Sequence, residues 1–201
     1  MQIQNETGTC VLVGAINRAI LRPEWLVKCN LVQDGETQTE FMLTSGPVLY
    51  RYSIGGFQWT IDSGKLVVEG VSEDANPGEM VARVIDTLKH TPVHAVGNNF
   101  RFAPDAEAGQ RLHDRSRSRL SRDLGERYAS GDVSTTVFVA PHEDSKLSVS
   151  FESNGATIIG VLANFHRDVA DADQAAQAAR RWQADRDAAS RLLEHLRGML
   201  S

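Results

Sequence analysis

The chain contains few of the features that identify a secreted or membrane protein. Its 201 residues include only two cysteines, Cys10 and Cys29, which form neither a CxxC pair nor a disulfide framework. It has no apolar run of about 18 residues, and its first residues have neither the basic start nor the apolar core of a signal peptide. We therefore expect a cytoplasmic protein without a membrane partner, in which both thiols are structural.

The chain also lacks an excess of basic residues. It has 21 Lys and Arg against 26 Asp and Glu, a net charge of −5. Nucleic-acid affinity comes chiefly from basic side chains that displace phosphate counterions, so nucleic acid is the least favoured partner. The one basic stretch, at 111–127, has interleaved acids and no aromatic stacking residue. We interpret it as a solvated helix face, with nucleic-acid binding as the alternative; its arginines are Arg111, Arg115, Arg117, Arg119, Arg122 and Arg127.

The known motifs of catalysis are incomplete or missing. The sequence HRD at 166–168 lacks the glycine-rich loop and the DFG of a kinase, and neither GxSxG nor HExxH occurs. The sequence SGK at 63–65 lacks the first glycine of a P-loop, because Trp59 stands there. We therefore predict no catalytic residue, no cofactor and no metal. A histidine and three acids close together are interpreted as a polar strand end and a helix cap rather than metal ligands: His166, Asp168, Asp171 and Asp173.

What the chain does contain is a clear pattern of strands and helices. The uninterrupted apolar run at 9–16 predicts a buried strand, and Pro23 suits the first turn of a short helix. Between 39 and 71, alternating segments joined by short turns predict an antiparallel meander. One apolar face over 77–90 predicts a helix, which Pro92 stops.

The same order of elements is predicted again after residue 91. A strand at 93–103, a helical stretch at 105–128, three strands and a final helix follow one another. We predict an α+β fold with an internal duplication. Each of the halves 1–91 and 92–201 would consist of a strand, a helix, an antiparallel meander and a second helix, in that order. Together they would form one curved antiparallel sheet with helices on one face and a single continuous core.

Two resemblances follow from these segments. The element order is similar to the duplicated, saddle-like half of the TATA-binding-protein fold, which implies an architecture and no function. The segments RPEWLVKCNLV, HAVGNNFRF and ANFHRDV resemble those of a bacterial family of roughly this length to which no activity is assigned. The rival fold is the helix-grip type, in which a curved sheet wraps a long C-terminal helix around an apolar cavity. The helix at 77–90 interrupts the sheet where that fold has none.

The strongest helical signal closes the chain. From Asp173 onward, apolar residues recur at alternating intervals of three and four, which is the spacing of a seam between helices, and only Asp185 interrupts them. We expect a helix over about 172–199, on the order of 40 Å long, that covers its own sheet. Alternatively, its overhang pairs with a second chain through Trp182, Ala189, Leu192, Leu196 and Met199.

Polar residues inside apolar strands are the candidate binding site. Asn98, Asn99 and Arg101 lie in one predicted strand. Asn164 and His166 lie in another, where the period of two places them on the same face. A buried amide or imidazole without a partner costs about 1 to 3 kcal/mol, so we predict an internal polar network, with ligand binding as the alternative.

These features favour a non-enzymatic binding or assembly protein. It would act through the open sheet face or the long C-terminal helix, on a protein partner or on a second copy of itself as a homodimer. The alternative is a small-molecule-binding protein or an enzyme whose site includes the five polar residues Asn98, Asn99, Arg101, Asn164 and His166. Nucleic-acid binding through arginines 111–127 is the third possibility.

Overall fold

Nine strands and five helices are found in a computed structural model that describes residues 3–35, 37–42, 49–62, 64–72, 74–124 and 135–200. The strands are Ile3–Gly14 (β1), Gln38–Met42 (β2), Leu49–Ile54 (β3), Phe57–Ile61 (β4), Lys65–Gly70 (β5), Val93–Pro104 (β6), Thr135–His142 (β7), Ser145–Ser153 (β8) and Ile158–Asp168 (β9). The helices are Pro23–Lys28 (α1), Pro77–Thr87 (α2), Ala106–Leu124 (α3), Ala172–Arg180 (α4) and Trp182–Leu200 (α5).

The strands belong to one sheet with the order β2-β3-β4-β5-β1-β6-β9-β8-β7. The hairpins β2–β3, β3–β4, β4–β5 and β7–β8 are antiparallel, as is the pairing of β1 with β5. The α+β class and the antiparallel sheet predicted from the sequence are confirmed. In each predicted half the first strand lies beside the last, β1 beside β5 and β6 beside β9. The internal duplication itself stays a prediction.

Contacts divide the chain into two compact units. Unit 1 comprises Met1–Thr7, Phe100–Phe165 and Arg186–Ser201, and unit 2 comprises Gly8–Asn99 and His166–Asp185. The boundaries of the units fall within β1, β6, β9 and α5.

Strict alternation of side chains organises the strands of unit 2. On one side, which we call the inner face, apolar side chains are buried; the residues between them point to the outer face and are half-buried. The rings of Tyr52 and Trp59 stack on the inner face with centroids 6.0 Å apart, and the Tyr52 hydroxyl donates to the carbonyl oxygen of Leu21. The inner face of unit 2 consists of Cys10, Leu12, Tyr52, Ile54, Trp59, Ile61, Leu66 and Val68.

Helix α2 begins where the sequence predicts, because Asn76 caps it and Pro77 occupies its first turn. The Asn76 side chain accepts a hydrogen bond from the Glu79 N–H at 2.9 Å, which satisfies one of the donors left free at a helix start. Helix α2 packs against α4 and β5. Gly78 lies at the contact between the helices, where a Cβ would overlap the Ala179 carbonyl oxygen and the Trp182 side chain.

The core of unit 1 is built from aromatic and aliphatic side chains. Phe100 and Phe165 meet edge to face with ring centroids 6.0 Å apart, and both are fully buried. Helix α3 approaches the chain closely at Gly109, where a Cβ would overlap the Ile158 carbonyl oxygen. The absence of a side chain at Gly109 therefore permits this contact between α3 and β9.

The predicted C-terminal helix is divided at Arg181. The N–H of Arg181 donates to the Ala178 carbonyl oxygen three residues earlier, the tighter bonding of a 3₁₀ turn, and α5 begins at the next residue. Trp182, Ala189 and Leu196 are buried within the single chain, and Leu192 is half-buried. Pairing with a second chain stays a prediction, and these buried residues have little apolar surface left for it. The side chain of Met199, the fifth residue of that predicted seam, lies outside the described part of the chain.

None of the helices, over the residues that the structure describes, is long and apolar enough to cross a membrane.

Candidate functional site

The five polar residues predicted as one site lie on two strands, β6 and β9. Asn98 and Asn99 are successive residues of β6, so their side chains point to opposite faces: Asn98 is fully buried and Asn99 is half-buried. These two residues and His166 belong to unit 2, whereas Arg101 and Asn164 belong to unit 1. That all five form one network stays a prediction, and their contacts fall into three settings.

The first setting is a buried ion pair on the inner side of unit 2. Arg167 binds Asp185 through two hydrogen bonds, from Nη1 to Oδ2 at 2.7 Å and from Nη2 to Oδ1 at 2.9 Å. Asn98 Nδ2 donates to the same Asp185 Oδ2 at 2.8 Å. Asp185 is 2% exposed and Arg167 4% exposed, so water contributes little to their solvation. We call Asn98, Arg167 and Asp185 the buried triad.

Two of the three triad residues were missed in the sequence. Asp185 is interpreted from the sequence as the one polar interruption of an apolar stripe, and Arg167 is not singled out. A signal was nevertheless present. A single acid in an otherwise buried stripe needs a basic partner. Arg167 lies two residues after the buried Phe165 in β9, and the period of two places both on the buried face.

The thiol of Cys10 lies on the same inner face. Burial raises the pKa of this thiol far above its usual range, the nearby Asp185 charge raises it further, and the Arg167 charge lowers it. The thiolate is the reactive form of cysteine, so Cys10 is held almost entirely as the unreactive thiol at neutral pH. This fits the structural role predicted for it.

We expect the two cysteines to differ strongly in reactivity. In the native protein at neutral pH, a disulfide reagent should modify the half-buried Cys29 about a hundredfold or more faster than Cys10. In denaturant both thiols should react together. The Cys29→Ser variant isolates Cys10 for this measurement. Equal native rates for the two thiols would show that Cys10 is accessible and ionised, contrary to its position.

The second setting is a row of polar side chains across the outer face of unit 2. The strand register places Ser53 opposite Gln58, Gln58 opposite Glu69, and Glu69 opposite Thr9. From the next strand, Asn99 Nδ2 donates to Thr9 Oγ1 at 3.3 Å. We call these five residues the polar row. All five are half-buried, and the strands fix their positions.

A second row lies beside the polar row on the same face. Its members in order are Arg51, Thr60, Val67 and Val11, each opposite the next on the neighbouring strand, and all are half-buried. The Arg51 guanidinium donates to Gln58 Oε1 and so joins the two rows. The outer face of unit 2 therefore combines hydrogen-bonding groups with a small apolar patch.

His166, also in unit 2, lies near the end of β9. Its Nε2 is 3.1 Å from Asp168 Oδ1, and both side chains are exposed. This pair is local to the strand end. Asp171, three residues after the end of β9, caps α4 by accepting from the Gln174 N–H at 2.8 Å. Asp173 lies in the first turn of that helix. The capping role predicted for Asp171 is thereby seen in the structure.

The third setting is an ion pair in unit 1. Arg101 Nη2 lies 3.0 Å from Glu152 Oε2, and both side chains are partly exposed. A Cβ on Gly160 would overlap this Glu152 oxygen and lie 3.0 Å from Arg101 Nη2, so the glycine makes room for the pair. None of the described residues donates a hydrogen bond to the buried Asn164 Oδ1. Of the arginines between 111 and 127, only the side chains of Arg111 and Arg115 are described, and Arg111 pairs with Glu107 at 2.9 Å.

A small cavity lies beneath β1 and β5 in unit 2. It is lined mainly by apolar side chains from β1, the following turn and α2, among them Leu12, Leu66, Val84 and Leu88. Its volume is about 20 Å³, which is room for about one water molecule. An organic ligand would not fit without movement of α2.

The chemistry available at these sites is hydrogen bonding and ion pairing. Within the described ranges, no three His, Cys, Asp or Glu side chains are placed to hold a metal ion together. No protein-family model and no curated protein matches the chain. The fold and the contacts described here are therefore the observations on which a function can be proposed.

Proposed function

We propose that the chain is a non-enzymatic binding protein that holds a protein partner on the outer face of unit 2. The observation that carries this proposal is the polar row, Ser53, Gln58, Glu69, Thr9 and Asn99, aligned across five neighbouring strands. Neighbouring strands are about 4.8 Å apart, so the row is about 19 Å long. A surface of that length suits another protein better than a small ligand, which is usually enclosed in a cleft.

The composition of this face supports a protein partner. Specific interfaces mix apolar contact with about one hydrogen bond per 100 to 200 Å². The polar row supplies donors and acceptors, and the cross-strand pair Val11 and Val67 supplies an adjacent apolar patch. Because the backbone of each strand is fixed by its inner-face residues, little ordering entropy is lost when a partner binds.

Charge favours a basic partner. Between residues 34 and 79 the sequence has eight acids and two bases, and Glu69 of the polar row is one of these acids. A partner with Lys or Arg at its contact surface would associate faster and would lose affinity as salt is added, because exposed charges are screened.

Both cysteines are free thiols, which suits the reducing cytoplasm, where we propose that the protein acts.

The double variant Gln58→Ala, Glu69→Ala tests the proposal. A photo-reactive amino acid at Thr60 should first cross-link the partner in cells, and mass spectrometry then identifies it. With that partner purified, we expect the double variant to raise the dissociation constant at least tenfold, about 1.4 kcal/mol, because two central hydrogen-bonding groups are removed.

The matched control removes the same residue types from exposed helix positions. Gln177 and Glu194 are exposed on α4 and α5, so Gln177→Ala, Glu194→Ala should leave the affinity unchanged. Circular dichroism should show that both double variants keep the wild-type secondary structure. The proposal fails if the polar-row variant binds the cross-linked protein as tightly as the wild type does.

A further inference from the structure

Strand β7 forms one edge of the sheet. It pairs with β8 on one side, and in the part of the chain that the structure describes no strand lies beyond it in the sheet order. An edge strand presents alternate N–H and C=O groups that can pair with another strand. Sheets usually protect such an edge with charged residues, proline, a bulge or a very short strand.

The central residues of β7 lack this protection. From 135 to 140 the sequence is TTVFVA, which is uncharged, rich in β-branched residues and without proline. Pro141 comes only near the end of the strand. Phe138 is 48% exposed and Val139 54% exposed. Successive residues point to opposite faces, so both faces of this edge carry exposed apolar surface. The opposite edge, β2, is shorter and contains Glu40.

We infer that β7 pairs antiparallel with the β7 of a second copy, forming a symmetric homodimer. A two-fold interface requires a surface that is complementary to itself. With Phe138 at the centre, antiparallel self-pairing sets Val137 opposite Val139 and Thr136 opposite Ala140, twice each by symmetry. Each of these pairs is uncharged, and the Val137–Val139 pair joins two β-branched apolar residues.

A second copy fits this edge better than an unrelated strand does. The register places only uncharged residues opposite one another over 135–141, whereas a strand that carries a charged residue would set that charge against this uncharged edge. This surface lies in unit 1 and is distinct from the polar row of unit 2, so the dimer does not depend on the function proposed above.

The mass in solution and its response to one edge substitution test this inference. Sedimentation equilibrium at micromolar concentrations should give twice the 22.1 kDa chain mass. Val139→Lys places a charge opposite Val137 of the second copy, and we expect it to raise the dimer dissociation constant at least tenfold. Val139→Thr keeps a β-branched, uncharged side chain and should remain dimeric. Val139 is exposed, so both variants should keep the wild-type circular dichroism spectrum.

Hydrogen exchange gives an independent readout. Alternate β7 amides should exchange more slowly at high than at low protein concentration, because the dimer bonds the groups of the free edge. A wild-type protein that is monomeric throughout this range overturns the inference. So does a dimer that Val139→Lys leaves intact, or one that Gln58→Ala, Glu69→Ala dissociates, since the contact would then lie elsewhere.

Discussion

Replacing Asp185 with alanine is expected to lower the free energy of unfolding by about 3 to 5 kcal/mol, because the change leaves the buried Arg167 guanidinium without its carboxylate. It also removes the acceptor of the Asn98 amide. For a chain of this size the melting temperature should fall by roughly 10 °C. Urea denaturation followed by circular dichroism measures the loss.

Two further variants show whether the cost comes from the unpaired charge. Glu194→Ala removes an exposed carboxylate from the same helix, α5, and should change stability by less than about 0.5 kcal/mol. The double variant Arg167→Met, Asp185→Leu replaces the ion pair by apolar side chains and should recover most of the loss, since buried ion pairs return little net stability. If this double variant is as unstable as Asp185→Ala, the charge is not the cause.

The alternation of apolar and polar residues made the strands of unit 2 predictable. Phe57, Trp59 and Ile61 alternate with Gln58 and Thr60 in the sequence, and in the structure Trp59 and Ile61 are buried while Gln58 and Thr60 are half-buried. A slip of one residue would bury the polar set, so the burial of one face fixes the register. Short turns predict that β3, β4 and β5 are neighbours, but the sequence contains no comparable signal that β1 lies between β5 and β6. The polar row depends on both of those pairings.

For the candidate site, the sequence indicates the strand and the face of each residue but not its distant partners. The period of two places Asn164 and His166 on one face of β9, as the sequence predicts. The same period places Asn98 and Asn99 on opposite faces of β6, so these two asparagines do not share a face. The Asn98 amide donates to the Ala178 carbonyl oxygen and to Asp185, which lie 80 and 87 positions away in the sequence. Contacts at such separations follow from tertiary packing, which local periodicity does not encode.

The inner and outer faces of unit 2 depend on each other. Tyr52 and Trp59 stack on the inner face, and the residues next to them, Ser53 and Gln58, are neighbours in the polar row. Burial of the aromatic pair therefore helps to fix the positions of the neighbouring outer polar groups through the strand backbone. Loss of inner packing would consequently disturb a partner site on the opposite face.

Replacing Gly78 with alanine is expected to destabilise the protein by about 3 kcal/mol, although alanine is intrinsically the better helix former. A Cβ at this position would overlap the Ala179 carbonyl oxygen and Trp182 Cβ. The carbonyl oxygen belongs to the backbone, so it cannot move away as the end of a flexible side chain can. Helices α2 and α4 would have to separate, weakening their contact and the ion pair of Arg180 with Asp86.

Gly198 provides the matched control. It lies in α5 with open space where a Cβ would be added, so Gly198→Ala should stabilise the protein by about 0.5 to 1 kcal/mol. Thermal unfolding of the two variants should thus give shifts of opposite sign, and a neutral or stabilising Gly78→Ala would show that the two helices are not in close contact at this residue.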